Sequence, residues 1–399
     1  MSTITLQHLL DACSPGGASV LTSVTPLEPA AGPHASVAPA KYREGKGKTA
    51  KPVFAYERRF WDGEAVTAVL IDSKQSQSNR LEAAVSAAIA DEDPVLTRTP
   101  RIELRFEDGQ VYSDLDLPHR AFDGQIRAGT INGETVTSVE EYRKLRDATV
   151  NHARPLLERS PMTLLLGGWD ASRKSHQGRY RSILVGEIIG ILADQDGGAE
   201  ANQSKRGGAR IDPVGMRIDL EDKERKAIAE AQKHELSAST CKSASGKNGK
   251  VSTLGLGGIP PSLEQLGGVT CQAIIRSHVL SFAALRALRF DSPTPEGDVA
   301  CRALLAALAL NGLARSDAEL LLRANCDLVE AGPAVVTLDK RYGQKESFEP
   351  LSIDQAQELL SAAIDHAIQA ANLTWDGSVL VVEGNPVILA AAADDAQDD

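Results

Sequence analysis

Short strand-like runs alternate with helical ones along this chain, and turn signals separate them. That alternation limits the fold more than any other feature. VFAYERRF (53–60) and AVTAVLID (65–72) flank Asp62-Gly63, a dipeptide suited to the positive φ of a tight turn, and so predict a hairpin. A helix is predicted from about Asn79 to Ala90, with Ser76 or Ser78 as its cap. RIELRF (101–106) and QVYSDL (110–115) flank a second such turn at Asp108-Gly109. MTLLLGG (162–168) reads as a buried strand ending in glycines, leading through WDASRKSHQGRY into a helix over 181–193. Further helices are predicted near 281–289, 298–314 and 317–325, and strand-like segments at 327–339 and 378–388 flank a helix near 353–371. Strands mixed with helices and hairpins in this way define an α+β class.

Residues 14–52 are rich in Pro, Gly, Ala and Ser without a sustained period, so 1–52 reads as an irregular N-terminal arm. The body is expected over 53–390. The stretches 194–210 and 237–262 are Gly-, Ser- and Lys-rich, long enough to be mobile or ordered only on a ligand, with a charged, solvated helix between them. Residues 391–399, with Asp394, Asp395, Asp398 and Asp399, read as a disordered acidic tail.

With 399 residues, 42% hydrophobic and 24% charged, the chain has the make-up of a globular protein. No run approaches 18 apolar residues, and the N-terminus lacks a cationic leader with an apolar core, so neither a membrane span nor a secretory signal is expected. Cys13, Cys241, Cys271, Cys301 and Cys326 lie far apart with no CxxC pair, which favours reduced thiols in a cytoplasm. The net charge of −11 argues against a nucleic-acid partner at face value, but phosphate contacts respond to local patches. Residues 41–59 carry seven basic and two acidic side chains, and Arg173 to Arg181 carries four basic and no acidic ones.

The usual catalytic signatures are missing. GKGKT (45–49) lacks the first glycine of a phosphate loop, the position being Tyr42, and no strand precedes it. GLGG (255–258) lacks the third glycine of a dinucleotide fingerprint. There is no GxSxG, no HExxH and no acidic or histidine cluster suited to a metal, so no cofactor and no catalytic residue is assigned. His119, His176 and His278 have no motif partner. Aromatic residues are 4% and the RNP1 signature is absent, so base stacking is not expected to dominate any RNA contact.

Five blocks then become informative by their order: LIDSKQSQSNRLE (70–82), LPHRAFDG (117–124), LLGGWDAS (165–172), GARIDPVGM (208–216) and GGVTCQAIIRSHVLSFAALRALRF (267–290). Together they resemble the RAMP-superfamily backbone subunit of type I-G (formerly I-U) CRISPR surveillance complexes, the "Cas-seven" group in its U-type form. The central motif S-x-Q-S-x-x-N-R is carried by Ser73, Gln75, Ser76, Asn79 and Arg80. The resemblance implies a ferredoxin-like, RNA-recognition-type palm with a helical fingers insertion and a thumb-like hairpin. It further implies a non-catalytic subunit that polymerises as a helical filament along one CRISPR RNA and presents it for pairing with target DNA in antiviral defence. The implied partners are copies of itself, the large and repeat-processing subunits of Cascade, and a helicase-nuclease recruited after target binding.

A subunit that holds any guide must grip phosphate and ribose rather than read base edges. Ser73, Gln75, Ser76 and Asn79 at a strand-to-helix turn suit that task, the helix N-terminus adds partial positive charge, and Arg80 offers a fork matching phosphate. The same residues also suit a cap and a solvated first turn. Trp169 reads equally as a core anchor or a ribose-stacking residue, and the cations Arg173, Lys174, Arg179 and Arg181 after it form a local patch. His119 and Arg120 are candidates for RNA contact or for capping, and Arg210 pairs with Asp212 or faces phosphate. Two rival readings are a metal-dependent target-RNA endoribonuclease using Asp170 or Asp72, and a structural oligomer with no RNA contact.

Overall fold

Alternation of side chains between a helix-covered face and an open face organises the main sheet. The computed structural model describes residues 2–208, 218, 220–246, 249–256 and 262–389. The chain divides into two units, Met1–Gln203 with Gly268–Gly384, and Ser204–Gly267 with Asn385–Asp399.

In the first unit helix Leu6–Cys13 (α1) precedes strand Val20–Pro29 (β1). A hairpin of Lys41–Glu44 (β2) and Lys51–Phe54 (β3) follows, then Tyr56–Trp61 (β4), Glu64–Asp72 (β5) and helix Lys74–Ala90 (α2). After smaller elements come Leu184–Leu192 (β6), Cys271–Ser281 (β7) and helix Pro295–Ala318 (α3). Leu328–Glu330 (β8), Val335–Asp339 (β9), Lys345–Phe348 (β10) and helix Ile353–Ala371 (α4) complete the frame. Side by side the strands run β10-β9-β1-β7-β6-β5-β4, with β8 also pairing β1, and each neighbouring pair is antiparallel. With β2 to β5 and β8 set aside as additions, β1-α2-β6-β7-α3-β9 follows the β-α-β-β-α-β order of a ferredoxin-like fold, with β1 and β7 in the middle.

Leu21 and Leu27 of β1, Ile274 and Leu280 of β7, and Leu184 and Ile188 of β6 point to the buried face, whereas Thr22, Ile275, Ser277 and Glu187 lie on the half-open one. Helix α3 is apolar on every side and buried over nearly its whole length. It is the one described helix long and apolar enough to cross a membrane, and it is packed inside the unit. Gly312 is where it meets α2: a Cβ there would lie 2.8 Å from Leu81. A second sheet, of order Val111–Ser113, Arg101–Arg105, Val379–Glu383, Thr130–Ile131, Glu134–Thr135, holds the hairpin predicted around Asp108-Gly109. Both predicted Asp-Gly turns carry positive φ at their glycines, Gly63 and Gly109.

β6 and β7 are neighbours in the sheet although the inserted unit separates them in sequence. Thr270 N–H donates to the Asn202 carbonyl (3.0 Å) and Ala193 N–H to the Thr270 carbonyl (3.2 Å), so the outgoing and returning chain meet at one point. Within the inserted unit, helices Asp222–Ala231 and Ala238–Ser245 are locked together by the buried Arg225, which donates to the carbonyls of Ala244 (2.7 Å) and Gly246 (2.8 Å). The segment 237–262 thus contains a helix.

Several expectations are corrected. Residues 14–52 are no irregular arm, since β1 lies within the main sheet. MTLLLGG forms the buried helix Pro161–Leu166, and the helix expected over 181–193 is strand β6. Residues 319–325 form no helix, α3 ending at Ala318. Helix α2 is capped by Ser73, whose hydroxyl accepts from Ser76 N–H at 3.3 Å, rather than by Ser76 or Ser78. The acidic tail 391–399 lies outside the described residues. All five cysteines are free thiols.

Candidate nucleic-acid interface

The end of β5 and the start of α2 are organised around one carboxylate. Asp72 is 0% exposed. It accepts from Ser76 Oγ (2.9 Å), Gln77 Nε2 (2.6 Å), Arg80 Nε (2.9 Å) and Nη2 (3.2 Å), and from Arg323. Burial alone would raise its pKa, but the Arg80 and Gln77 hydrogen bonds and the Arg80 charge outweigh burial and hold the carboxyl below its usual range. The remaining Arg80 nitrogen donates to the Leu321 carbonyl. The motif therefore splits by direction. Ser73, Ser76 and Arg80 turn inward to build the joint, which corrects the expectation of Arg80 as a free phosphate fork. Gln75 and Asn79, one helical turn apart, are exposed and make no side-chain hydrogen bond among the described residues. Exposed Lys74 beside them lies 3.8 Å from Glu187, which Arg59 also meets at 3.0 Å.

The basic segment 41–54 is a separate two-stranded hairpin, β2 with β3, rooted next to this joint: Ala40 N–H donates to the Ile71 carbonyl (3.2 Å) and Leu70 N–H to the Ala55 carbonyl (2.9 Å). Lys41, Arg43, Lys46 and Lys51 are exposed and make no ion pair among the described residues. GKGKT is the tip of this hairpin, with Gly45 and Gly47 at positive φ. Its charge was legible in the sequence. Its order as a two-stranded hairpin was not.

Arg120 is buried, and with it the expectation of an RNA-facing side chain is corrected. It donates to both oxygens of Glu82 on α2, with Nη2 at 2.8 Å, and Nη1 donates to the Gly167 carbonyl at 2.9 Å. This pair draws together three of the sequence blocks, on α2, the 119–123 turn and the Gly167-Gly168 pair. His119 is exposed, its backbone N–H bound to Asp123. Beyond the glycines, Gly168–Trp169 pairs with Arg179–Tyr180. Trp169 is 52% exposed rather than a core anchor, and the Arg179 guanidinium lies 5.3 Å from its ring centroid. Arg173 is committed to Asp147 and to the Arg146 carbonyl, whereas Lys174 and Arg181 are exposed. Asp170 is buried and held by Arg146 through two contacts of 2.7 and 2.9 Å. Arg210, with Asp212, lies outside the described residues. Among the described residues no group of three or more His, Cys, Asp or Glu is arranged to hold a metal ion.

The free polar groups thus gather at the β5–α2 joint and on the hairpin beside it, with a second set on the Trp169 strand pair. Residues 21–195, somewhat under half of the chain, are similar to the family model described as CRISPR-associated protein GSU0053. No curated protein matches the chain.

Proposed function

We propose that this chain is an RNA-binding backbone subunit of a CRISPR surveillance complex, the U-type Cas-seven subunit of type I-G, that grips guide RNA by phosphate and ribose and does not cleave it. The observation that carries the reading is the hairpin 41–54, rooted at the end of β5, on which Lys41, Arg43, Lys46 and Lys51 are exposed, together with the exposed Lys74, Gln75 and Asn79 at the start of α2. Cations without internal partners release counterions when they meet phosphate, and amides and a helix N-terminus hydrogen-bond backbone oxygens without selecting a base. The negative net charge lies elsewhere on the molecule and does not oppose a local contact.

In this reading, copies of the subunit line one CRISPR RNA and leave its bases free for target DNA, together with the large and repeat-processing subunits and a recruited helicase-nuclease. The aspartates that a cleaving subunit would use, Asp72 and Asp170, are both buried in arginine pairs, which supports the non-catalytic role. The test is a variant with Lys41, Arg43, Lys46 and Lys51 changed to Ala. It should keep its thermal melt, lose most co-purifying guide RNA, and flatten the log–log salt dependence of binding by about 0.7 per lost contact. Wild-type RNA content and slope would overturn the proposal.

A further inference from the structure

The hairpin β9–β10 ends in a loop, Lys340–Gln344, closed by Lys340 N–H to the Gln344 carbonyl (2.8 Å). At its tip Tyr342 is 99% exposed and left-handed, at φ 62° and ψ 32°. Glycine or asparagine takes that conformation readily, whereas an aromatic side chain there is strained, with no burial to offset it. Arg341 and Lys345 on either side are exposed and make no ion pair among the described residues. Beside the tip lies a cleft of about 890 Å³, reaching to the glycine turn at Gly16 and Gly17. Its two acids are already engaged: Glu346 by Lys340 (2.6 Å) with His8 at 4.0 Å, and Asp11 by Gln7 (2.7 Å).

We propose that Tyr342, flanked by Arg341 and Lys345, is a second nucleic-acid contact: a platform on which one unpaired base of a single strand stacks, with the cations on its phosphates. An aromatic ring with both faces in water, cations on either side and a cleft large enough for a nucleotide combine stacking with backbone attraction, as single-strand sites require. The site does not depend on the hairpin 41–54.

The experiment uses the full-length protein and short single strands, RNA in one arm and DNA in the other, carrying 2-aminopurine, whose emission reports stacking. Tyr342→Ala should weaken binding by about tenfold, or about 1.4 kcal/mol, within the range of one base–aromatic stack, and abolish the emission change. Tyr342→Phe should preserve both, and Arg341→Ala should flatten the salt slope. Tyr342→Gly should lose binding while melting no lower than wild type, which excludes unfolding as the cause. A response in either arm supports the site and identifies the strand. The variant lacking Lys41, Arg43, Lys46 and Lys51 should keep the emission change, which separates this site from the guide grip. Unchanged affinity and emission in Tyr342→Ala would overturn the proposal, as would equal binding of duplex and single strand. So would loss of a co-purifying protein without any change in oligonucleotide binding, since that marks Tyr342 as a protein contact.

Discussion

Arg120 and Glu82 meet in the interior, Nη2 to Oε2 at 2.8 Å, while Nη1 of the same guanidinium donates to the Gly167 carbonyl at 2.9 Å. One side chain thus fastens helix α2 to the glycine pair that precedes Trp169. Burial pushes the Glu82 carboxyl up to about 7, against the pull of Arg120. Arg120→Ala leaves that carboxyl buried without its counter-charge and should cost about 3–5 kcal/mol in denaturant unfolding. The double change of Arg120 and Glu82 to Met should recover much of the loss. Equal stability of Arg120→Ala and wild type would show that the pair is not the fastener.

The inward and outward halves of the 73–80 motif should separate in a mutant series. Arg80→Ala removes two hydrogen bonds from the buried Asp72 and should lower stability by about 2–3 kcal/mol, with RNA content falling only as the melt falls. Gln75→Ala with Asn79→Ala should leave stability within about 0.5 kcal/mol yet reduce guide retention. Calorimetric melts read beside the RNA absorbance of the purified complex decide the matter. A folded Arg80→Ala protein stripped of RNA would return Arg80 to the interface.

His278 is 5% exposed on the buried face of β7, and its pKa is depressed to about 3, by burial first and then by the neighbouring Arg276. The other titratable groups around the cavity it lines are Asp317, Glu330 and Glu349. Below about pH 6.5 the unfolded chain binds a proton at this histidine that the folded chain refuses. Its contribution is therefore present above pH 6.5 and fades as pH falls towards 3, by about 1.4 kcal/mol per unit. Unfolding titrations of wild type and His278→Leu from pH 7.5 to 5 should show the variant gaining relative to wild type in acid. A constant gap between the two would remove His278 from the acid response.

Guides of equal length and unrelated spacer sequence should bind with affinities within about tenfold, or about 1.4 kcal/mol, because the proposed contacts go to groups that every sequence shares. Competition binding at fixed salt checks this, and a larger spread would reveal base readout.

How much of this was legible in the sequence differed from element to element. Helix α4 stood out because Ile353–Ala371 keeps an apolar stripe behind a Ser352 capping box. β6 and the helix Pro161–Leu166 were exchanged because both are short apolar runs, and periodicity cannot tell a buried strand from a buried helix. β1 was hidden by Pro26. That residue lies between the stretches paired with β9 (20–24) and β8 (27–29), so its missing N–H is not needed for the ladder on that side. At the interface, residue types were visible but not their direction. Arg80 and Arg120 resemble surface cations until the burial of Asp72 and Glu82 is known, and Tyr342 carries no signal until its backbone is seen.

The single point where Asn202 and Thr270 join the outgoing and returning chain has a consequence for length. The ends of the excursion are fixed by hydrogen bonds in the sheet unit itself, so a change in the length of residues 204–267 leaves those ends where they are. Loop-closure entropy grows with the logarithm of that length, about 0.6 kcal/mol for each doubling. The length of the inserted segment can therefore change with little entropic cost at the neck where it leaves and rejoins the sheet.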